Sequence, residues 1–238
     1  MRVADLAVQE DRWLGGHLGK AAYHLPVEPA SSAEQLQAML APLRGARFVD
    51  AKVPTTDVAS VGALEDCGFR VVDVNVTMEV PRLVVDHAPA GVGLAGADDE
   101  AEVGRIAASA LTQSRFHLDP AIRPSVASAI KEAWARNFFV GARGDWMVVG
   151  RSGAAIDGFA QLLDRPDALV IDLIAVSPTR QGAGIGRALI EHACHACGDA
   201  PLVRVGTQAA NTRSLRFYES LGFKVVSTAF VLHQHLDG

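Results

Sequence analysis

The chain writes one segment twice. Residues 63–74 read ALEDCGFRVVDV and residues 217–228 read FYESLGFKVVST, an offset of 154 positions. At that offset Gly68 falls on Gly222, Phe69 on Phe223, Val71 and Val72 on Val225 and Val226, Glu65 on Glu219, and Asp57 on Asn211. Apolar stretches precede both copies, RFVDAKV at 47–53 and PLVRVGT at 201–207. Each copy therefore reads strand, turn, helix, glycine, strand. Asp57 and Asn211 suit helix N-caps, where a short polar side chain accepts from the first turn. Gly68 and Gly222 suit the residue after a helix, which needs a positive φ. Two copies this far apart predict two related units, not a solenoid, which stacks three or more. The copies differ in residues with chemical content, among them Leu64 in the first, which is Tyr218 in the second. Only the second copy follows a glycine-rich segment. One unit is equipped for chemistry, and the other reads as a retained scaffold.

Composition narrows the setting. The chain has 238 residues, 49% hydrophobic and 21% charged, which is ordinary for a globular protein. No stretch approaches the ~18 apolar residues of a membrane span. The opening MRVADLAVQEDRW carries acids where a signal peptide has its apolar core, so a cytoplasmic protein is expected. Cys67, Cys194 and Cys197 give no disulfide framework. A formal net charge of -5 argues against a nucleic-acid surface. Small anionic ligands remain open, because they need only a local cluster of donors.

Residues 169–190 read LVIDLIAVSPTRQGAGIGRALI. The run LVIDLIAV, broken only by Asp172, predicts a central strand. SPTRQGAGIG predicts a loop. RALIEHACHAC predicts a helix with Leu189, Ile190, Ala193, Cys194 and Cys197 along one face. Strand, glycine-rich loop and helix together aim backbone N–H groups and the positive helix end at a phosphate. A P-loop needs G-K-[ST], but Gly186 is followed by Arg187 and Ala188. A dinucleotide fingerprint needs a third glycine where Arg187 stands. The pattern that fits is Q-x-x-G-x-G, namely Gln181-Gly182-Ala183-Gly184-Ile185-Gly186, with Arg180 before it.

That loop resembles the pyrophosphate loop of the GNAT superfamily of acetyl-CoA-dependent N-acetyltransferases. The order that follows is also similar: a strand VRVGT, then Asn211, the pair Phe217-Tyr218, and Gly222-Phe223. The two matches cover residues 169–226. The N-terminal unit, SALTQSRFHLDP at 109–120 and the last 35 or so residues resemble, more narrowly, the branch that acetylates the 4-amino group of dTDP-linked 4-amino-4,6-dideoxy sugars. The likeness is loose over 121–168. The resemblance implies an α/β mixed fold: a degenerate N-terminal half-domain at 1–85 and a GNAT catalytic domain at 92–238, with PRLVVDHAPAGVG at 81–93 connecting them. The half-domain would be kept as one wall of the acceptor site.

The resemblance implies partners and roles. The donor would be acetyl-CoA and the acceptor a nucleotide sugar, with no metal, nucleic acid or membrane involved; a homodimer is left open. The Gly182–Arg187 backbone would hold the CoA pyrophosphate, and Ile174, Ala175 and Val176 would pair with the pantetheine amides. A backbone N–H of Val176 or Ala175 would polarise the thioester carbonyl, a donor worth ~3 kcal/mol in acyl transfer. Asn211 and Tyr218 match the family's spacing, with Tyr218 as the acid that protonates the leaving thiolate. A phenol of pKa ~10 suits that task at neutral pH. The base is either Asp73, where the family carries an acid that works through water, or Asp172, a carboxylate within an apolar strand that needs a reason to be there; an amine already neutral would need none. Arg115, flanked by Ser114 and Phe116, suits a bidentate grip on a diphosphate. Phe116 would pack on sugar or base, and His117 fits either role. Two other readings stay open: a GNAT enzyme acting on another small amine or a protein N-terminus, and an acetyl-CoA-binding protein without catalysis.

Three signals are set aside. In HACHAC at 192–197, Cys194 and Cys197 fall about 60° apart on the apolar face of a helix and the histidines point elsewhere. HQH at 233–235 puts two histidines on one face of a strand but is expected to be a solvated tail. DDEAEVGR at 98–105 reads as an acidic helix start.

Overall fold

The structure is a computed structural model describing residues 7–236. The first unit runs β1 (Gln9–Glu10), α1 (Arg12–Leu18), β2 (Ala21–Leu25), α2 (Ala33–Leu40), β3 (Arg47–Pro54), α3 (Val58–Asp66) and β4 (Arg70–Pro81). The second runs β5 (Val92–Leu94), α4 (Glu100–Ala110), α5 (Arg115–Leu118), α6 (Pro124–Arg136), β6 (Trp146–Ser152), β7 (Ala155–Asp164), β8 (Ala168–Val176), α7 (Ile185–Ala196), β9 (Leu202–Gln208), α8 (Thr212–Ser220) and β10 (Lys224–Leu236). All ten strands form one sheet in the order β1-β2-β3-β10-β4-β9-β8-β7-β6-β5. The pairs β2–β3 and β8–β9 are parallel and the others antiparallel. The fold is of mixed α/β content.

The sequence repeat is written into the register. Asn75 pairs with Ala229, its own counterpart 154 positions on. Arg70 pairs with His233, and the counterpart pair, Glu79 with Lys224, is also formed. The two irregularities, at Val231/Leu232 and Val225/Ser227, are related by the same offset. Ala229 opposite Pro54 maps onto Asn75 opposite Gln208. A local two-fold axis thus passes between β4 and β10. Each unit's last strand lies between the other's last strand and the strand preceding that one. A side chain in this central zone is therefore held by both units.

Capping follows the polar residues foreseen for it. Asp57 accepts from the Ser60 N–H at 3.2 Å and Asn211 from the Ser214 N–H at 3.1 Å. Gly68 and Gly222 both have φ of 88°, which L-residues rarely adopt. Alternating residues of β6 serve opposite faces of the sheet. Val148 packs toward α7, with Leu189, Ile190, Ala193, Cys194 and Cys197 in the same cluster. Met147 and Val149 pack with Val103, Ile106 and Ala107 of α4. Another cluster joins Leu14, Ala22 and Phe48 of the first unit to Phe116, Ile122, Ala127 and Ile130 of the second. Among the described residues no helix is long and apolar enough to cross a membrane.

Candidate active site

The sheet is open at one place. β8 pairs with β9 only from Ala168–Ile171 to Leu202–Val205, although β8 continues to Val176 and β9 to Gln208. Past Ile171 the two parallel strands part. β8 is still paired with β7 on its other side, so its inner edge faces the gap with backbone groups to offer. A cleft of about 710 Å³ fills the opening. In the first unit the equivalent strands stay paired over all of β2. There the loop after β2 is tied to α3, with Ala30 N–H on Asp57 and Ser31 N–H on the Ser60 hydroxyl, both at 3.0 Å. Among the described residues, the donor-sized cleft lies in the second unit.

The glycine-rich loop closes one end of the cleft. Gly182 and Gly184 have φ of 86° and 79°, so the loop requires glycine at both positions. Gly184 caps α7, and Ala188 N–H is the first to bond back, to the Gly184 carbonyl at 3.1 Å. The preceding N–H groups, of Ile185, Gly186 and Arg187, are those a helix start leaves for an anion. Gly186 seats the Phe217 ring, since a Cβ there would stand 3.0 Å from the ring tip. Gln181 spans the mouth: its amide donates to the Val176 carbonyl at 3.2 Å and its oxygen accepts from Arg213. Both flanking arginines line the cleft, Arg180 paired with Asp157 and donating to Ser152, and Arg187 donating to the Ser220 carbonyl. These two arginines therefore shape the loop. Asn211 likewise spends its side-chain oxygen as the α8 cap.

Acetyl-CoA suits this cleft by its residues: an unpaired strand edge for a chain with amides, and free helix-start N–H groups for a diphosphate. Gly158 guards the strand edge. A Cβ there would lie 2.7 Å from the Ala175 carbonyl oxygen, so β8 would have to move where the cleft opens. Gly158→Ala is expected to lower kcat/KM for acetyl-CoA about tenfold, because small displacements of reacting groups cost this much. Unchanged kinetics in a folded variant would contradict this.

Tyr218 lines the cleft from α8 and is 3% exposed, packed on Phe217 and Phe223. Burial pushes its phenol well above the ordinary value, so it stays protonated at neutral pH. Asp73 is buried on β4. Burial raises its carboxyl above the ordinary value, against the pull of the Val74 N–H, the Gln208 side chain, Arg115 and Lys52. Gln208 lines the cleft, so Asp73 reaches it through that neighbour.

Asp172 is placed differently from the expectation of a base. Arg143 grips it at 2.6 and 2.7 Å, and it also accepts from the Trp134 indole at 2.9 Å and Gln161 at 3.2 Å. Its lone pairs are committed, and it serves as a brace. That is the reason a carboxylate stands in this apolar strand. Phe116 is also corrected. It is 1% exposed inside the cluster that joins the units, and it lines a second cavity at their seam but not the cleft. Arg115 sits beside it, its guanidinium 4.6 Å above the ring and 2.6 Å from Asp50. Burial opposes ionisation of Asp50, but Arg115 and His24 outweigh it and hold the carboxyl at about 2. His117 bonds Ser114 at 2.8 Å and Ser128 at 3.3 Å; burial, aided by Lys131, lowers its pKa.

The tail reading of HQH is overturned. β10 lies mid-sheet, between β3 and β4, up to Leu236. His233 is 2% exposed. One oxygen of Asp119 meets His233 Nδ1 at 2.6 Å and His235 Nε2 at 2.7 Å. Arg115 approaches His233 Nε2 at 3.5 Å. That arrangement assigns His233 as neutral, with its proton on Nδ1, and burial lowers its pKa accordingly. Among the described residues this trio is the group with metal-ligand spacing, and its members already satisfy one another.

Sequence reasoning missed Lys131. It lies in the cleft wall, half-buried, its ammonium 4.5 Å from the Trp134 ring. Burial, with Arg115 and Arg143 nearby, lowers its pKa to about 8. The signal was available: Lys131 stands four residues from both Ala127 and Ala135, on the buried face of α6.

Known proteins agree with this geometry. The profile of the Acetyltransferase (GNAT) family matches residues 90–223. The chain is 30% identical to the dTDP-fucosamine acetyltransferase of Escherichia coli O6:H1 over 192 residues, 78% of this chain and 81% of that one. It is 24% identical to the spore coat polysaccharide biosynthesis protein SpsD of Bacillus subtilis (strain 168), over 96% of this chain and 82% of the relative. A crystal structure of a GCN5-related N-acetyltransferase from Sphaerobacter thermophilus superposes with a TM-score of 0.59 at 14% identity, covering 97% of this chain and 77% of that one. The parted strands, the glycine-rich loop and the family match have one conclusion: this chain belongs to the GNAT acetyltransferase family and is an acetyltransferase.

Proposed function

We propose that the chain transfers the acetyl group of acetyl-CoA to the amino group of a nucleotide-linked amino-deoxy sugar, a dTDP-4-amino-4,6-dideoxy sugar before others. The observation that carries this reading is a lysine in the cleft wall that has no carboxylate partner among the described residues, backed by two arginines. Lys131 lines the cleft, and Arg115 and Arg143 lie close enough to lower its pKa. A diphosphate-linked sugar complements such a wall, and a free polyamine does not. The two curated relatives, a dTDP-fucosamine acetyltransferase and a polysaccharide biosynthesis protein, support the same substrate class.

The reaction is direct aminolysis. The loop and the edge of β8 hold the donor, and a backbone N–H near Val176 stabilises the charge developing on the thioester oxygen. Asp73, raised in pKa, takes the amine proton through a water beside Gln208. The amine nitrogen bonds to the acetyl carbon, the carbon–sulfur bond breaks, and Tyr218 protonates the departing thiolate. Asp73→Asn is expected to cut kcat about tenfold or more and to remove the step in the acid limb of the pH–rate profile that reports Asp73. The raised pKa puts that step above the ordinary carboxylate range. A variant with the wild-type profile rules Asp73 out. Product analysis tests the acceptor: NMR of the product from a dTDP-4-amino-dideoxy sugar should show the acetyl group on the sugar nitrogen. An acetyl group elsewhere, or none, refutes the assignment.

A further inference from the structure

A second cavity, of about 240 Å³, opens at the seam between the two units. The first unit contributes Asp11 and Trp13, and the second Arg115, Trp134, Asn137 and Arg143. Its volume is below the ~300–1,000 Å³ of sites that enclose a whole small-molecule ligand, so it suits one end of a longer molecule. It lies against the acetyl-transfer cleft without sharing a lining residue with it. The Trp134 indole donates to Asp172, which lines that cleft, and Lys131 of the same cleft sits over the Trp134 ring. Three cations gather at this boundary. Asp50 pairs with Arg115 and Asp172 with Arg143. Among the described residues no carboxylate lies within ion-pair distance of Lys131, whose ammonium faces the rings of Trp134 and Phe116. Burial first, and then the neighbouring guanidiniums, depress its pKa, and a bound anion would favour its charged form. Farther from Lys131 the character changes. Trp13 is half-buried and brings an indole to the cavity, 6.0 Å from Trp134 and edge-on to it. Asp11 and Asn137 bring a carboxylate and an amide.

We infer that this cavity receives the nucleoside end of the acceptor, a pyrimidine nucleoside diphosphate, with the base against Trp13 and the diphosphate at the wall of Lys131 and Arg115. The inference rests on the sugar-nucleotide reading and deepens it. A single ring fits the volume. A pyrimidine imide offers one N–H, which Asp11 accepts, and a carbonyl, to which the Asn137 amide donates. Aromatic stacking recognises the base by its face. The sugar, attached through the second phosphate, then extends past Lys131 into the cleft. The first unit thereby gains a purpose: Trp13 and Asp11 exist only because it was retained.

Calorimetry with dTDP and with inorganic pyrophosphate tests this, in protein saturated with CoA so that the donor groove is filled. Wild type should bind dTDP. Trp13→Leu should weaken dTDP about tenfold and leave pyrophosphate affinity unchanged, and Lys131→Met should weaken both. Failure of the wild type to bind dTDP, or wild-type affinity in both variants, overturns the inference. Trp13→Phe keeps the seam packed should Trp13→Leu not fold. It should still bind dTDP but lose most of the ligand-dependent quenching of indole fluorescence; undiminished quenching overturns the placement of the base. The two readings separate. Protein that binds dTDP in this way yet acetylates no sugar nucleotide keeps the cavity and loses the proposed acceptor. Protein that turns over a sugar nucleotide with a KM indifferent to Trp13→Leu keeps the acceptor and loses the cavity.

Discussion

Tyr218→Phe is expected to reduce kcat about a hundredfold while leaving acetyl-CoA affinity within about twofold. The phenol is buried in the cleft wall, and that burial holds it protonated well above neutral pH. Its ring is locked between Phe217 and Phe223, so the substitution removes an oxygen and little packing. General acids of this kind contribute ~10²–10⁴ in rate. Donor binding draws instead on the loop and the edge of β8, which the substitution does not touch. Steady-state thiol release separates the two effects. A fall in affinity with turnover intact would make Tyr218 a packing residue.

Asp119→Ala is expected to destabilise the protein by about 3 kcal/mol, since it strands buried partners of a carboxylate. For a chain of this length that is a drop of roughly 6–12 °C in Tm. Asp119 is 3% exposed and accepts from His233 and His235 on one oxygen and from the Ala121 N–H, at 2.9 Å, on the other. Removing it leaves these donors inside a cluster that joins the two units. Asp119→Asn should cost less, because the amide oxygen still accepts. The pH dependence has a definite sign. Burial opposes ionisation, but the histidine hydrogen bonds and the Ala121 N–H outweigh it and hold the carboxyl far below its ordinary value. The folded pKa is depressed, so this stabilisation is complete above the unfolded value of ~3.9 and is lost as pH falls from there toward the folded value. Thermal scans between pH 7 and pH 3 should show wild type losing its advantage over Asp119→Asn on acidification. A constant gap would mean the pair with the histidines carries no charge.

Much of this was legible in the chain, for identifiable reasons. The donor loop is local: strand, glycines and helix are adjacent in sequence, so Gln181–Gly186 could be read in place. The repeat was legible because both units kept their caps, Asp57 and Asn211, and their glycines, Gly68 and Gly222. What could not be read was long-range pairing. β10 ends the described chain, and a chain end reads as a tail, yet the exchange of β4 and β10 puts His233 at the centre of the sheet. Asp172 looked like a base because its partner Arg143 lies 29 residues away in a region with no motif. Phe116 looked like a substrate contact beside Arg115, but its neighbours Phe48 and Leu14 come from the other unit. Lys131 carries no motif, and only its spacing from Ala127 and Ala135 marked it as part of the buried face of α6.

The most direct test of the account is thiol release from acetyl-CoA with matched acceptors: a dTDP-4-amino-4,6-dideoxy sugar, the same amino sugar without its nucleotide, a linear polyamine and a peptide N-terminus. Binding at two linked sites predicts a kcat/KM for the dTDP-linked amine at least ~100-fold above the others. Equal or higher rates with the free amines or the peptide, or no turnover with any sugar nucleotide in protein that binds acetyl-CoA, would contradict it.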